Sequence, residues 1–425
     1  MMFYKEANFK ETPIGKVPKD WEVTKLSNLI EVETGKRAKG GALEKGNVAS
    51  IGGEQIDDEG NILWEEMKFI PEDFYDFLKQ GKVKLGDVLL VKDGATTGKV
   101  AIVKNLEYEK VAVNEHVFII RSKARQLINE FLFYFLFSKF GQIQIKTRFH
   151  GLIGGIKKSD LETILMPLPP LLEQQRIAEI LFTVDEAIQK TNEIVAKTKR
   201  LKKGLMQELL TKGIGHKEFK NTEIGRIPKN WEVVKLGDDK IAEIRGNKII
   251  SGVQEVSFIP MEFVPDHGIF VKYEIRDLKD VSSSTYCEAG DLLLAKITPS
   301  LENGKQGIVP DDVPNGFALA TTEVYPIVCK GIDRLFLFYV LKFPGFRKIL
   351  EFSMRGTTGR QRVPKDAVER LKIPLPPYQE QKRIAEILST FDKKLEIGKN
   401  EKAKLERIKQ GLMDLLLTGK IRVKV

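Results

Sequence analysis

The chain is poor in the residues that carry most protein chemistry. Its 425 residues include two cysteines, Cys287 and Cys329, and four histidines, His116, His150, His216 and His267. Two cysteines can form at most one bridge, and no zinc-type spacing is present. This usage fits a reduced, cytosolic setting. The histidines lie far apart in sequence and none is spaced like a metal pair. Apolar runs are short. The longest candidate, "FLFYFLF" at 131–137, is well under the roughly 18 residues of a membrane span. The opening "MMFYKEANFKETPIG" carries acidic residues and no long apolar region, so no signal peptide is expected.

Enzyme motifs are missing as well. "GATTGKV" at 94–100 falls short of a phosphate loop. That loop needs four residues between its glycines, then Lys and a hydroxyl residue for magnesium, and here Val100 follows Lys99. "LPPY" at 375–378 lacks the polar first residue with which adenine methyltransferases bind the amino group being methylated. No Gly-x-Ser-x-Gly elbow and no glycine-rich dinucleotide fingerprint after a strand appears. A nuclease needs only scattered acidic residues and a lysine, so that class stays open. The chain reads as a binder without chemistry of its own.

What the chain does have is charge and repetition. Its 69 Lys and Arg against 59 Asp and Glu leave a formal net charge of +10, compatible with a nucleic-acid partner. "PLPPLLEQQRIAEIL" at 167–181 returns as "PLPPYQEQKRIAEIL" at 374–388. "TPIGKVPKDWEVTKL" at 12–26 returns as "TEIGRIPKNWEVVKL" at 222–236, and "GLMQELLTKG" at 204–213 as "GLMDLLLTGK" at 411–420. A period of about 207 residues is a duplicated domain, far longer than solenoid repeats. The regions at about 27–150 and 237–355 share only scattered apolar and glycine positions. Each copy therefore has a constant frame and a variable insert.

The frame contains a long helix. Pro169 and Pro170 suit a helix entrance, and Glu173 suits the positive end of the helix dipole. Ile177, Leu181, Val184, Ile188, Thr191, Val195, Thr198, Leu205 and Leu209 follow a 4,3 spacing with Lys202 as the charged break, which is a heptad seam. Thr211-Lys212-Gly213 is a stop signal. The second copy keeps the register through Ile384, Leu388, Phe391, Leu395, Gly398, Lys402, Leu405, Lys409, Leu412 and Leu416. About 40 residues make a helix of roughly 60 Å, longer than one compact domain covers, so the two helices are expected to pair antiparallel. The inserts read as mixed α/β. "KLGDVLLVKDG" and "VAIVKN" are strand-like, and "NEFLFYFLFSKFGQIQI" reads as one buried amphipathic helix.

The paired "IG.(V/I)PK.WEV.KL", "PLPP..EQ.RIAEIL" and "GLM..LLT" strings resemble the specificity subunits of type I restriction–modification enzymes, over essentially the whole chain. The resemblance implies an α+β architecture: two globular mixed α/β target recognition domains separated by two long helices in an antiparallel coiled coil, a pseudo-two-fold tandem duplication. It implies a frame segment at 1–19, recognition domains at 20–155 and 229–362, and a linker with the repeated frame segment at 216–228. Conserved helical regions fall at 156–215 (helix about 170–212) and 363–425 (helix about 377–418). It further implies that each domain reads one half of a split double-stranded DNA site and that the coiled coil sets the gap. Two modification subunits bringing S-adenosylmethionine, and restriction subunits using ATP and Mg, are the implied partners. No cofactor, metal or catalytic residue is expected in this chain.

Sequence-specific readout needs Arg, Lys, Asn, Gln, Ser or Thr presented to base edges, with Lys and Arg on phosphates, and glycine-rich loops offer the candidates. In the first insert the candidates are Lys36, Arg37 and Lys39 in "TGKRAKGG", Thr96, Thr97 and Lys99, and Arg148 and His150 in "RFHGLIGG". In the second they are Arg245, Asn247 and Lys248, then Asn303, Lys305 and Gln306, and the stretch "RGTTGRQR" with Arg355, Thr357, Thr358, Arg360, Gln361 and Arg362. The basic run "KTKRLKK" at 197–203 is a solvated helix face or a contact to spacer phosphates or a modification subunit. From the residues alone, a coiled-coil adaptor that presents two domains to protein partners remains open.

Overall fold

A computed structural model describes residues 3–123, 125–151, 154–357 and 359–424. The chain divides into two units: residues 1–190 with 402–425, and residues 191–401. Two long helices, Leu171–Lys212 and Tyr378–Leu416, each give one end to either unit.

In the first unit a hairpin (Phe9–Thr12 with Gly15–Pro18) leads to the fully buried Trp21. Strand Glu22–Lys25 then pairs antiparallel with Leu165–Leu168, just before the first long helix. The insert between them folds as two sheets. One has four antiparallel strands in the order Ile30–Thr34, Val117–Ser122, Val88–Val91, Val100–Ile102. The other has the order Lys110–Val113, Val48–Ile51, Lys68–Ile70, its first pair parallel. Successive side chains of a strand point to opposite faces. Val88 and Leu90 join one apolar cluster, and Leu89 and Val91 join another. Covered on both faces, this strand is a continuous aliphatic run rather than an alternating one.

Helix Asn129–Phe137 lies over the first cluster with Phe131 through Leu136 all buried, so it has no polar face. The single amphipathic helix expected here is two. Ser138 breaks it, and its hydroxyl accepts from Gly141 N to cap Lys139–Lys146; serine favours such capping positions over helix interiors. The same cluster takes Ile177 and Leu181 of the first long helix and Met413 and Leu416 of the second. The last strand, Ile421–Val423, pairs antiparallel with Phe3–Lys5.

The second unit repeats the plan. The hairpin is Phe219–Thr222 with Gly225–Pro228, Trp231 is fully buried, and Glu232–Lys235 pairs with Lys372–Leu375. The four-stranded sheet has the equivalent order, Ala242–Ile244, Val324–Cys329, Leu292–Ala295, Gln306–Ile308. The other sheet gains an edge strand, Thr285–Glu288, and again contains one parallel pair, Glu255–Ile259 with Phe317–Ala320. Helix Arg334–Lys342 buries Phe336 through Leu341. Leu209 and Leu210 of the first long helix meet Ile384 and Leu388 of the second in this unit's core.

Within each unit the helix segments run antiparallel. Lys409 Nζ lies 2.6 Å from Asp185 Oδ1 in the first, and Lys202 Nζ lies 2.5 Å from Asp392 Oδ1 in the second. Ile177, Leu181, Ile188, Leu209, Ile384, Leu388 and Leu416 are buried, while Val184, Val195, Leu205, Phe391, Leu395, Leu405 and Leu412 are half-buried. Gly398 has a packing reason: a Cβ there would stand 2.6 Å from Val195 Cγ2. Among the described residues no helix is long and apolar enough to cross a membrane.

Candidate nucleic-acid interface

The frame explains its own repetition. "PLPP..EQ" opens each long helix, and both residues of the EQ pair face inward. Glu173 accepts the indole N–H of Trp21 at 3.1 Å, and Glu380 accepts that of Trp231 at 3.1 Å. Gln174 donates to the Gln126 and Pro169 carbonyls and accepts from Ile128 N. Gln381 donates to the Pro376 carbonyl and accepts from Asp333 N. Each glutamine thus ties the helix entrance to the start of the aromatic helix of its insert. A buried polar group must find such partners, so the identity of these residues is tightly constrained.

Register then places the insert loops. In the first unit strands 30–34, 48–51, 88–91 and 110–113 all finish at the edge where strand 117–122 begins. The loops that follow gather there. Lys92 N donates to the His116 carbonyl and Ile156 N to the Lys92 carbonyl. Arg37 Nε lies 3.6 Å from Glu115, and His116 pairs with Asp93. Burial pushes the Asp93 carboxyl up, but hydrogen bonds from His116 and Lys92 outweigh it and hold the group below its ordinary value. The second unit gathers the corresponding loops. Lys296 N donates to the Glu323 carbonyl, Val363 N to the Lys296 carbonyl and Thr298 N to the Gln361 carbonyl.

Of the first-unit candidates, Lys36, Arg37 and Lys39 are exposed. Thr96 and Thr97 are half-buried, and the Thr97 hydroxyl donates to the Gly94 carbonyl. Lys99 is half-buried, donates to the Ile56 carbonyl and lies 2.9 Å from Asp58. Arg148 is held by Thr163 and the Gln144 carbonyl, and the exposed His150 by Asp160 at 2.9 Å. A cleft of about 540 Å³ opens beside them, lined by Glu33, Lys92, Asp93, His150, Lys157 and Lys158 among others. Lys92, Lys157 and Lys158 escape the sequence reading, although "GIKKS" directly follows a loop already singled out.

In the second unit Arg355, Thr357, Arg360 and Arg362 are exposed and Gln361 is half-buried; Thr358 lies outside the described residues. Arg355 and Arg362 exchange backbone hydrogen bonds and close this stretch into a loop. Arg362 is bidentate to Glu323 at 2.8 and 2.6 Å, which holds its guanidinium pKa up. Asn303 is exposed, whereas Lys305 donates to the Met261 carbonyl. Asn247 donates to the Ser284 carbonyl and accepts from Tyr286 N, and Lys248 lies over the Tyr286 ring.

Two positions depart from the surface expectation. Gln306 is fully buried, its amide donating to the Phe338 carbonyl and accepting from Arg347. It starts a core strand, so it presents nothing to a base edge. Arg245 is bound to the buried Asp291 at 2.6 and 2.9 Å and lies 3.0 Å from Glu288. In the first unit the matching buried Asp87, of the repeated "GD", is bound instead by Arg121. The arginine comes from strand Val117–Ser122 in the first unit and from just after strand Ala242–Ile244 in the second, while the carboxylate has stayed, so Arg245 acts within the fold. Among the described residues no group of three or more His, Cys, Asp and Glu is arranged to hold a metal.

A model of the type I restriction modification DNA specificity domain matches the chain twice, at residues 18–199 and 228–407. The chain belongs to the type I restriction–modification DNA specificity family. Each matched segment contains the buried tryptophan, the helix entrance and the loop cluster of one copy. Among curated relatives, the type I restriction enzyme MjaVIII specificity subunit of Methanocaldococcus jannaschii is 33% identical over 441 residues, covering 100% of this chain and 98% of its own. The EcoAI specificity subunit of Escherichia coli is 38% identical over 167 residues, 37% of this chain and 27% of its own. A crystal structure of a type I system S subunit from M. genitalium aligns with TM-score 0.59 at 15% identity, covering 95% of this chain and 98% of that one. A chain from a structure of type I system assembly aligns with TM-score 0.53 at 18% identity, covering 95% and 99%. At these identities the likeness is one of fold.

Proposed function

We propose that this chain is the DNA-reading subunit of a type I restriction–modification system. Each loop cluster reads one half of a bipartite site in double-stranded DNA, and the helix pair sets the spacing. The observation that carries this is one frame and one strand-end cluster per unit, with different side chains on the two clusters. Lys36, Arg37 and Lys39 mark the first, and Arg355 and Arg360 the second. Equal frames suit inverted half-sites; unequal loops make the site asymmetric. The chain performs no chemistry itself and acts in the cytoplasm. Two methyltransferase subunits carrying S-adenosylmethionine, and restriction subunits using ATP and magnesium, join it there.

Methylation mapping of the native genome with and without the gene tests this. One bipartite motif should vanish with the gene. Replacing residues 20–155 by another insert should change one half of the motif and leave the other. A change in both halves, or in neither, overturns the reading. Binding that ignores sequence and falls steeply with salt would instead mark a basic adaptor.

A further inference from the structure

Each unit contains a buried polar triad that joins its reading domain to both long helices. In the first unit Tyr134, on the aromatic helix, donates its hydroxyl to Asp185 Oδ2 at 2.7 Å. Asp185 belongs to the first long helix, and its other oxygen lies 2.6 Å from Lys409 Nζ on the second. In the second unit Tyr339 donates to Asp392 Oδ2 at 2.7 Å, and the other oxygen of Asp392 lies 2.5 Å from Lys202 Nζ. The helices have exchanged roles: the carboxylate comes from the first helix in one unit and from the second in the other. The ammonium also lies near an aromatic ring, Lys409 at 4.5 Å from that of Phe137 and Lys202 at 5.4 Å from that of Tyr339.

The members are largely withdrawn from water. Side-chain exposure is 10% for Asp185 and 11% for Lys409, and 17% for Asp392 and 16% for Lys202. Burial, with the neighbouring carboxylate, pushes both tyrosine hydroxyls far above their ordinary pKa, so they stay donors across the working range. Elsewhere in the two cores the long helices meet aliphatic and aromatic side chains. Such surfaces tolerate small slides because dispersion has no direction. A buried charge pair with a hydrogen-bonded hydroxyl behaves differently, because moving any member leaves a polar group unpaired.

We propose that Tyr134–Asp185–Lys409 and Tyr339–Asp392–Lys202 are positioning locks that fix the orientation of each reading domain on the helix pair, and so the spacing at which two half-sites are accepted. This rests on the DNA-reading role proposed above and assigns part of it to residues that touch no DNA. The lock acts through the domain, so it sets where a half-site is read and leaves open which bases are read. A buried ion pair used for specificity rather than stability has this character.

The test enriches duplexes from a randomised pool with the full chain and with Tyr134→Phe, Tyr339→Phe and Leu337→Ala. Leu337 is fully buried on the same helix, two residues before Tyr339 and on a different face, so its truncation destabilises that helix without touching the lock. The expected result is unchanged half-sites for every protein. Both tyrosine variants should also raise the share of sites one base pair longer or shorter by about tenfold, the scale of one net hydrogen bond, and Leu337→Ala should not. If the parent enriches no bipartite motif, the DNA-reading role itself falls. If the parent does and the tyrosine variants keep its narrow spacing, or if Leu337→Ala widens it equally, only the lock is overturned. A measurement without DNA stands beside this. Spin labels at Phe352→Cys and Ile397→Cys, both exposed, in a Cys329→Ala background should give a broader distance distribution with Tyr339→Phe. An unchanged width overturns the lock.

Discussion

Trp21 donates its indole N–H to the Glu173 carboxylate across 152 residues of sequence. The same carboxylate receives Arg422 at 2.6 and 2.7 Å. The residue that leads into strand Glu22–Lys25, the first long helix and strand Ile421–Val423 thus share one buried group.

Removing that group should be expensive. Glu173→Ala leaves the Arg422 guanidinium, 7% exposed, without its most buried partner and Trp21 without an acceptor. Losing one member of a buried pair costs about 3–5 kcal/mol. Glu173→Gln keeps an acceptor for the indole and should cost less. Denaturant unfolding of both variants against the parent checks the order.

Acid should loosen the same junction. Hydrogen bonding from Arg422 holds the Asp20 carboxyl below its ordinary value of 3.8. A carboxyl with a lower pKa in the folded state adds stability above its unfolded pKa and loses it as pH falls through the folded value. The parent should therefore lose stability as pH falls below about 4, through the folded Asp20 pKa. Arg422→Met should be less stable at neutral pH but show a shallower acid limb. Melting temperatures from pH 7 down to 3 measure both.

Much of this fold was legible because the duplication exposes it. Strings that repeat nearly unchanged are those with the same buried partners twice: Trp21 and Trp231, Glu173 and Glu380, Gln174 and Gln381. The inserts kept their strand order while losing identity, since a core strand accepts any aliphatic residue of similar volume. Other features were not legible. Lys202 read as a break in an apolar seam because its partner, Asp392, lies 190 residues away. A glycine-rich neighbourhood made Gln306 and Arg245 look like exposed loop residues. Their burial depends on Arg347 and Asp291, which local spacing cannot reveal. The ties among loops at one sheet edge became visible only with strand register.

Truncating the seam should act on stability and spacing together. Ile384 and Leu388 are fully buried between helices and insert. Alanine at either should cost about 2–5 kcal/mol. Spacing discrimination should weaken while the preferred bases of each half-site stay the same, as read by binding to duplexes of varied gap.

The second loop cluster separates contact from support. Arg360 is exposed, and among the described residues no side-chain hydrogen bond or ion pair holds it, whereas Arg362 is clamped to Glu323. If Arg360 reads a base, Arg360→Ala should cost about 1–3 kcal/mol of binding and relax one position of one half-site; if it contacts a phosphate, affinity should fall evenly and the salt slope should drop by about 1. Arg362→Ala should first disorder the loop, so its effect should spread over several positions. Gln306→Leu should lower stability through Arg347 and leave base preference unchanged, because the amide faces inward. Binding isotherms at several salt concentrations, on the parent site and on single-base variants, distinguish all three; equal effects from Arg360→Ala and Gln306→Leu would contradict the assignment.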